Sequence, residues 1–183
     1  MSTILKPENH LHTTESRWFA VYTRFKREKV VRDELIEKGI EVFLPIQKLL
    51  RQYGRKRKWV ELPLFNSYVF VKITKKEYVP VLSTDGVVKF VRFSENLISI
   101  PELEIQLLKR IIGANIPIKV EESEFKEGEV VEIIAGNLAG MKGTLIEVQG
   151  KNKVSIELDH LGYTLKLEMP SSSLRRQVFM MEK

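Results

Sequence analysis

Apolar and polar positions fall into short runs along this chain, and the runs change character near residue 113. Upstream, strand-like and helix-like stretches interleave. RWFAVYT (17–23) is aromatic and β-branched and predicts a strand. In KREKVVRDELIEK (26–38), Val30, Val31, Leu35 and Ile36 form an apolar stripe, and Gly39 follows as a helix stop. IEVFLPI (40–46) predicts a second strand, and a long polar excursion with Gly54 near its tip comes after it. LFNSYVFVKI (64–73) predicts a third strand, KKEYVPVL (75–82) a short helix, and VVKFVRF (87–93) a fourth strand after the Asp85-Gly86 turn. Pro101 opens a helix running to about Ile112, with Glu102 and Glu104 suited to its positive end. The order βαββαβα predicts an α+β domain with a largely antiparallel sheet.

Downstream, every run is strand-like: EVVEIIA, GTLIEVQ, KVSIELD and YTLKLEMP. Gly150-Lys151-Asn152 and a Leu161-Gly162 corner mark turns between them. Gly136, Gly140 and Gly143 punctuate FKEGEVVEIIAGNLAGMKGTLIEV (125–148), where glycine serves a positive φ or the close passage of another strand. Four or five strands at this spacing predict a small all-β barrel. The resulting organisation is a disordered polar tail over 1–16, an α+β domain over 17–113, a linker over 114–124 and a barrel over 125–183.

Composition adds direction to this picture. At 183 residues and 43% hydrophobic, the chain can bury a core. It has no cysteine, which excludes disulfides, thiolate metal sites and a Cys nucleophile. No apolar run approaches the length of a membrane span, and MSTILKPENHLHTTES lacks a signal-peptide layout. A cytoplasmic, monomeric protein without membrane contact is expected. Charge is unevenly spread. Residues 1–113 hold 21 Lys and Arg against 13 Asp and Glu, whereas residues 125–183 hold eight of each sign. Phosphate contacts come from Lys and Arg, so nucleic acid would meet the first part and the neutral barrel would meet a protein.

The densest basic cluster lies in QKLLRQYGRKRKWV (47–60). Lys48, Arg51, Arg55, Lys56, Arg57 and Lys58 stand there without an acidic residue, interleaved with Tyr53 and Trp59. Cations neutralise phosphates and aromatics stack on exposed bases, so nucleic-acid contact outweighs a merely solvated loop. Arg24, Lys26, Arg27, Lys29 and Arg32 surround the start of the first helix, but Glu28 and Asp33 intervene. A phosphate site and an ordinary charged face are equally open there. Strand alternation puts Tyr68 and Phe70 on one face of the third strand, and Val69, Val71 and Ile73 on the other. The aliphatic face should meet the helices. By pattern alone the aromatic face is a second core layer.

No catalytic constellation is present. GNLAGMKGT lacks the GxxxxGK[ST] order of a phosphate loop and is followed by a strand rather than a helix. His10, His12 and His160 join no metal-ligand spacing, and no nucleophile-elbow or zinc-protease motif occurs. Neither an enzyme nor a cofactor is expected.

FKEGEVVEIIAGNLAGMKGTLIEV resembles the KOW motif of the NusG transcription-factor family. RWFAVYTRFKREKVVRDEL, LPLFNSYVFVKI and DGVVKFVRF look like that family's N-terminal (NGN) domain, and the match covers roughly residues 17–177. The resemblance implies an NGN-type antiparallel sheet followed by an SH3-like KOW barrel. It implies a transcription elongation and antitermination factor whose NGN domain binds the clamp helices of RNA polymerase and suppresses pausing and termination. By position, Phe65, Tyr68, Phe70 and Phe90 would lie in or near the polymerase patch, which turns Tyr68 and Phe70 from core into interface. Arg24, Lys26 and Arg27 would lie near the non-template DNA strand, and nascent RNA is the other nucleic-acid candidate. The KOW loop, Gly136, Asn137, Leu138 and Gly140, would dock Rho or a small-subunit ribosomal protein. The family's usual Gly-Pro-Phe is Gly136-Asn137-Leu138 here, and its Pro-Gly-Tyr is Asn66-Ser67-Tyr68. The long basic excursion is similar to the operon-specific RfaH-like and UpxY-like paralogues. Housekeeping NusG is one alternative. A KOW-containing RNA- or ribosome-binding protein is another, though such a KOW domain should be basic and this one is neutral.

Overall fold

The computed structural model describes residues 8–92, 95–114, 116, 118–122, 129–148, 151–158 and 163–176. The chain divides into two units, Met1–Gln106 and Leu107–Lys183. In the first unit, β1 (Arg17–Thr23), β2 (Glu41–Phe43), β5 (Tyr68–Ile73) and β6 (Val87–Phe90) form an antiparallel sheet in the order β2-β5-β1-β6. α1 (Glu28–Glu37) and α2 (Tyr78–Leu82) complete its core. Register sets the layers. Phe19 lies opposite Val71 and Val21 opposite Val69, and these residues pack with Ile73, Val31, Leu35 and Val81. The aliphatic face of β5 thus belongs to the helix-side core. Of the four residues in the expected α1 stripe, Val31 and Leu35, one turn apart, are buried, while Val30 and Ile36 are exposed.

Several elements differ from the sequence-based expectation, each for a local reason. Lys75–Glu77 is a 3-10 turn opening into α2. Its capping box has the backbone N–H and hydroxyl of Thr74 donating to Glu77 Oε2 at 2.7 and 2.9 Å. Pro80 is tolerated because it falls in the first turn of α2, where its missing N–H has no partner to lose. Residues 8–16 are not a free tail. His10 N–H donates to Leu97 O at 2.9 Å, Lys75 N–H donates to His12 O at 2.8 Å, and Leu11 packs against the core.

The polar excursion is a β-ribbon. β3 (Ile46–Tyr53) and β4 (Lys56–Pro63) pair residue for residue from Ile46–Pro63 to Tyr53–Lys56, as a two-stranded sheet of their own. Eight residues per strand give a ribbon about 25 Å long.

α3 (Glu102–Gly113) follows, and its first residue, Glu102, accepts a hydrogen bond from Trp18 Nε1 at 2.8 Å and pairs with Lys72 at 3.0 Å. That bond to Glu102 raises the Lys72 pKa, and the ammonium lies 5.7 Å from the centroid of the Trp18 ring.

The second unit contains β7 (Ile118–Glu122), β8 (Glu129–Ile133), β9 (Lys142–Val148), β10 (Lys151–Leu158), β11 (Tyr163–Glu168) and β12 (Leu174–Arg176). They form one antiparallel sheet in the order β12-β8-β9-β10-β11-β7. The sequence reading assigned Ile118–Glu122 to a linker. Instead this segment pairs with β11 along its whole length, Ile118 opposite Leu167 and Val120 opposite Leu165. Charge density hid the alternation of IKVEE. The core is Val131, Ile133, Leu138, Met141, Val154, Ile156, Leu158, Leu165 and Leu167. Gly143 serves close passage: a Cβ there would stand 2.6 Å from Ser155 O and 2.6 Å from Val154 Cγ1. Gly150, His160, the Leu161-Gly162 corner and residues 123–128 lie outside the described residues.

Candidate nucleic-acid and protein interfaces

Pairing in the ribbon sorts its side chains by face, because opposite residues share a side and successive ones alternate. Arg51 lies opposite Lys58 and Tyr53 opposite Lys56, so one face carries three cations and a tyrosine. The other face pairs Leu50 with Trp59 and Gln52 with Arg57. Leu50, Tyr53 and Trp59 are all exposed, Trp59 at 66%. Gly54, with φ 61°, begins the two-residue Gly54-Arg55 turn at the tip. Lys48 differs from the other five cations. Glu61, just outside the acid-free stretch, faces it across the ribbon at 3.5 Å and also meets Lys29 at 3.8 Å. The ribbon's base is therefore partly neutralised, whereas among the described residues Arg51, Arg55, Lys56, Arg57 and Lys58 have no acidic partner.

Arg24, Lys26 and Arg27 sit in the turn between β1 and α1. Asp85 takes Arg24 at 3.3 Å and Arg27 at 2.7 Å, and Lys26 Nζ lies 5.0 Å from the centroid of the Phe25 ring. Glu28, the first residue of α1, points inward. It is 5% exposed, and its Oε1 accepts the Ser67 N–H at 2.7 Å. Ser67 has φ 63°, and its carbonyl accepts the Thr23 N–H at 2.8 Å. The turn leading into Tyr68 is thus tied to both ends of the β1–α1 connection.

The four aromatics assigned to a single patch occupy two faces of the sheet. Phe65 and Phe70 meet edge to face at 6.0 Å, and Phe43 stacks on Phe70 at 6.1 Å. Tyr68, half-buried, meets Tyr22 edge to face at 5.5 Å. Phe65 and Phe70 are 3% and 1% exposed, whereas Tyr22 is exposed and Tyr68 and Phe43 are half-buried. Phe90 does not join them. It lies opposite Val21, stacks on Tyr78 at 4.5 Å, and belongs to the helix-side core. Alternation from β1 carries it to the other face.

In the second unit, Gly136–Leu138 forms a 3-10 turn, and Gly136 and Gly140 have φ of 74° and 85°. Gly140 N–H donates to Ile133 O at 2.7 Å, closing the loop onto β8. Asn137 is exposed, but Leu138 is 2% exposed and is a core residue, not a contact presented to solvent. Arg110, within the same unit, donates to the carbonyls of Asn137 at 3.1 Å and Ala139 at 2.9 Å. Ile134 beside the loop is exposed. The exposed Tyr22, Phe25 and Ile134 are not among the residues the sequence singles out. The signal for Phe25 was available: an aromatic inside the polar turn RFKREK, outside any alternating run.

Among the described residues, no group of three or more His, Cys, Asp and Glu could hold a metal ion, and no helix is long and apolar enough to cross a membrane. The family profile "Transcription termination factor nusG" matches residues 16–109, and "Transcription elongation factor SPT5, second KOW domain" matches residues 127–177. The chain is 27% identical over 164 residues to the transcription termination/antitermination protein NusG of Streptococcus pyogenes serotype M1, covering 83% of this chain and 91% of that protein. It is 24% identical over 174 residues to the protein of the same name from Lactococcus lactis, covering 88% and 94%. A solved structure, "Domain interaction in Thermotoga maritima NusG", shares the fold with a TM-score of 0.54 at 24% identity, covering 90% of this chain and 98% of that one. An antiparallel α+β unit followed by a KOW domain defines the class, and the chain belongs to the NusG family. It is a NusG-like transcription termination/antitermination factor and not an enzyme.

Proposed function

We propose that this protein is a cytoplasmic, monomeric elongation factor that binds RNA polymerase and suppresses pausing and termination at particular operons. The observation that carries this reading is the basic ribbon. It extends outside the main sheet with Arg51, Arg55, Lys56, Arg57 and Lys58 exposed beside Tyr53 and Trp59. Such a ribbon suits a polyanion better than a protein partner, because it joins unneutralised cations to exposed aromatic rings. The non-template DNA strand is the proposed ligand of the ribbon and of Arg24, Lys26 and Arg27. Polymerase would meet the sheet face of Tyr22 and Tyr68, with the buried Phe70 two residues further along the same face of β5 and Phe65 packed on it. The KOW unit would dock a protein, Rho or a small-subunit ribosomal protein, through Asn137 and Ile134.

Glutamine at Arg55, Lys56, Arg57 and Lys58 together should flatten the salt dependence of binding to an elongation complex. Each lost phosphate contact lowers the log–log slope by about 0.7 to 0.9. An unchanged slope would remove the ribbon from phosphate. Tyr68→Ala should weaken capture of core polymerase with no loss of folding, and equal capture would move the polymerase contact elsewhere. The housekeeping alternative is favoured if readthrough rises equally on templates from unrelated operons.

A further inference from the structure

Phe25 is the most exposed aromatic side chain among the described residues, at 73%. The backbone holds it there. Arg24 N–H donates to Gly86 O at 2.8 Å, Arg27 N–H donates back to Arg24 O at 3.1 Å, and Thr23 N–H is held by Ser67 O. Asp85 fixes the two flanking guanidiniums from the neighbouring turn. Lys26, between them, has φ 59°, a conformation that residues other than glycine adopt at a cost. The turn is therefore pinned on three sides, with its ring outward and a lysine in a strained backbone position. Lys26 Nζ covers one face of the ring.

An apolar protein partner fits this ring poorly, because burying Phe25 would desolvate Arg24, Lys26 and Arg27 with it. A ligand that pairs flat π-faces with regularly spaced negative charge satisfies both features. A duplex has its π-faces already stacked, so the ligand must be single-stranded. We propose that Phe25 is a base-stacking residue: an unstacked base of single-stranded DNA lies on the open face of its ring, and Arg24, Lys26 and Arg27 meet the flanking phosphates. The assignment rests on the nucleic-acid role proposed above for those cations.

The test is binding of a labelled oligo-deoxythymidine to the full chain across a salt series. Phe25→Ala should weaken binding by about 5- to 150-fold, the range for loss of one base–aromatic stack. Phe25→Leu should fall equally, and Phe25→Trp should bind at least as tightly as the native chain. The log–log salt slope should be the same in all three, since a stack releases no counterion. On an oligomer of abasic sugar-phosphates, the native chain and Phe25→Ala should be indistinguishable. Native-level binding by Phe25→Ala or Phe25→Leu on the intact strand overturns the stack and leaves the cation reading standing. Failure of the native chain to bind the strand overturns both. Tighter binding of oligo-uridine than of oligo-deoxythymidine overturns DNA as the occupant.

Discussion

Two sets of aromatic rings in the first unit have opposite fates. Phe43 and Phe65 both pack on Phe70, and Phe65 and Phe70 are almost fully buried. Phe25, Tyr53 and Trp59 stand among cations and are more than half exposed, at 73%, 57% and 66%. Residue type does not separate the sets, since both contain phenylalanine. Backbone context does. The first set is carried by β2, β5 and the turn before β5, where register supplies a neighbour for each ring. The second is carried by a pinned turn and a ribbon outside the main sheet, where neighbouring side chains are hydrated lysines and arginines. The first set belongs to the folding free energy and the second to what the surface can bind.

Truncation should separate the two sets by stability before any binding is measured. Phe70→Ala removes a buried ring that touches both Phe43 and Phe65, and should destabilise the intact chain by about 3–5 kcal/mol. Trp59→Ala should stay within about 0.5 kcal/mol. Denaturant melts of the two variants decide the matter. A Phe70→Ala melt within experimental error of the native one would mean that the sheet aromatics are not core.

A smaller effect tests how the sheet face is aimed. Glu28→Ala leaves the buried Ser67 N–H without its acceptor and should cost about 1–3 kcal/mol. Glu28→Gln keeps an acceptor oxygen and should cost less. Because Ser67 directly precedes Tyr68, Glu28→Ala should also disturb the Tyr22–Tyr68 pair. The ring resonances of the two tyrosines report it. Unperturbed resonances in a destabilised variant would confine Glu28 to packing.

The main-sheet strands and β8 to β11 were legible because β-type residues stand there in short runs, and α1 and α3 because helix start or stop signals bound them. Gly143 was legible as a place of close approach, and the family was legible in the combination of two motifs. Context hid the rest. IKVEE looked like linker because Gly113 and Pro117 precede it and the polar run EESE closes it, and its pairing with β11 is a long-range fact. Phe90 joins Tyr68 and Phe70 only through the family resemblance, which does not show that register sets it on the opposite face. Leu138 looked presented because it stands at the contact position of the family's KOW loop, yet a 3-10 turn folds it inward. Glu28 looked like one more charge on a charged helix. Its burial depends on an N–H that arrives from 39 residues away.

The smallest predicted effect bears on why the exposed set is held as it is. Lys26 occupies the left-handed region at φ 59°, where a side chain costs about 1–2 kcal/mol relative to glycine. Glycine loses part of that advantage to its larger unfolded-state entropy, about 0.5–1 kcal/mol. Lys26→Gly should therefore stabilise the chain by about 0.5–1 kcal/mol, visible as a modest rise in Tm. It should at the same time weaken single-stranded DNA binding and reduce its salt slope by about one phosphate contact. Lys26→Ala separates the two effects, since it loses the charge and keeps the strain: binding falls as in the glycine variant, and Tm does not rise. If Lys26→Gly instead melts at the native temperature and binds as the native chain does, the left-handed lysine is neither costly nor functional. The exposed ring beside it would then need another explanation. A rise in stability coupled to a loss of binding would place the turn among sites where a chain gives up folding free energy to hold a contact group in place.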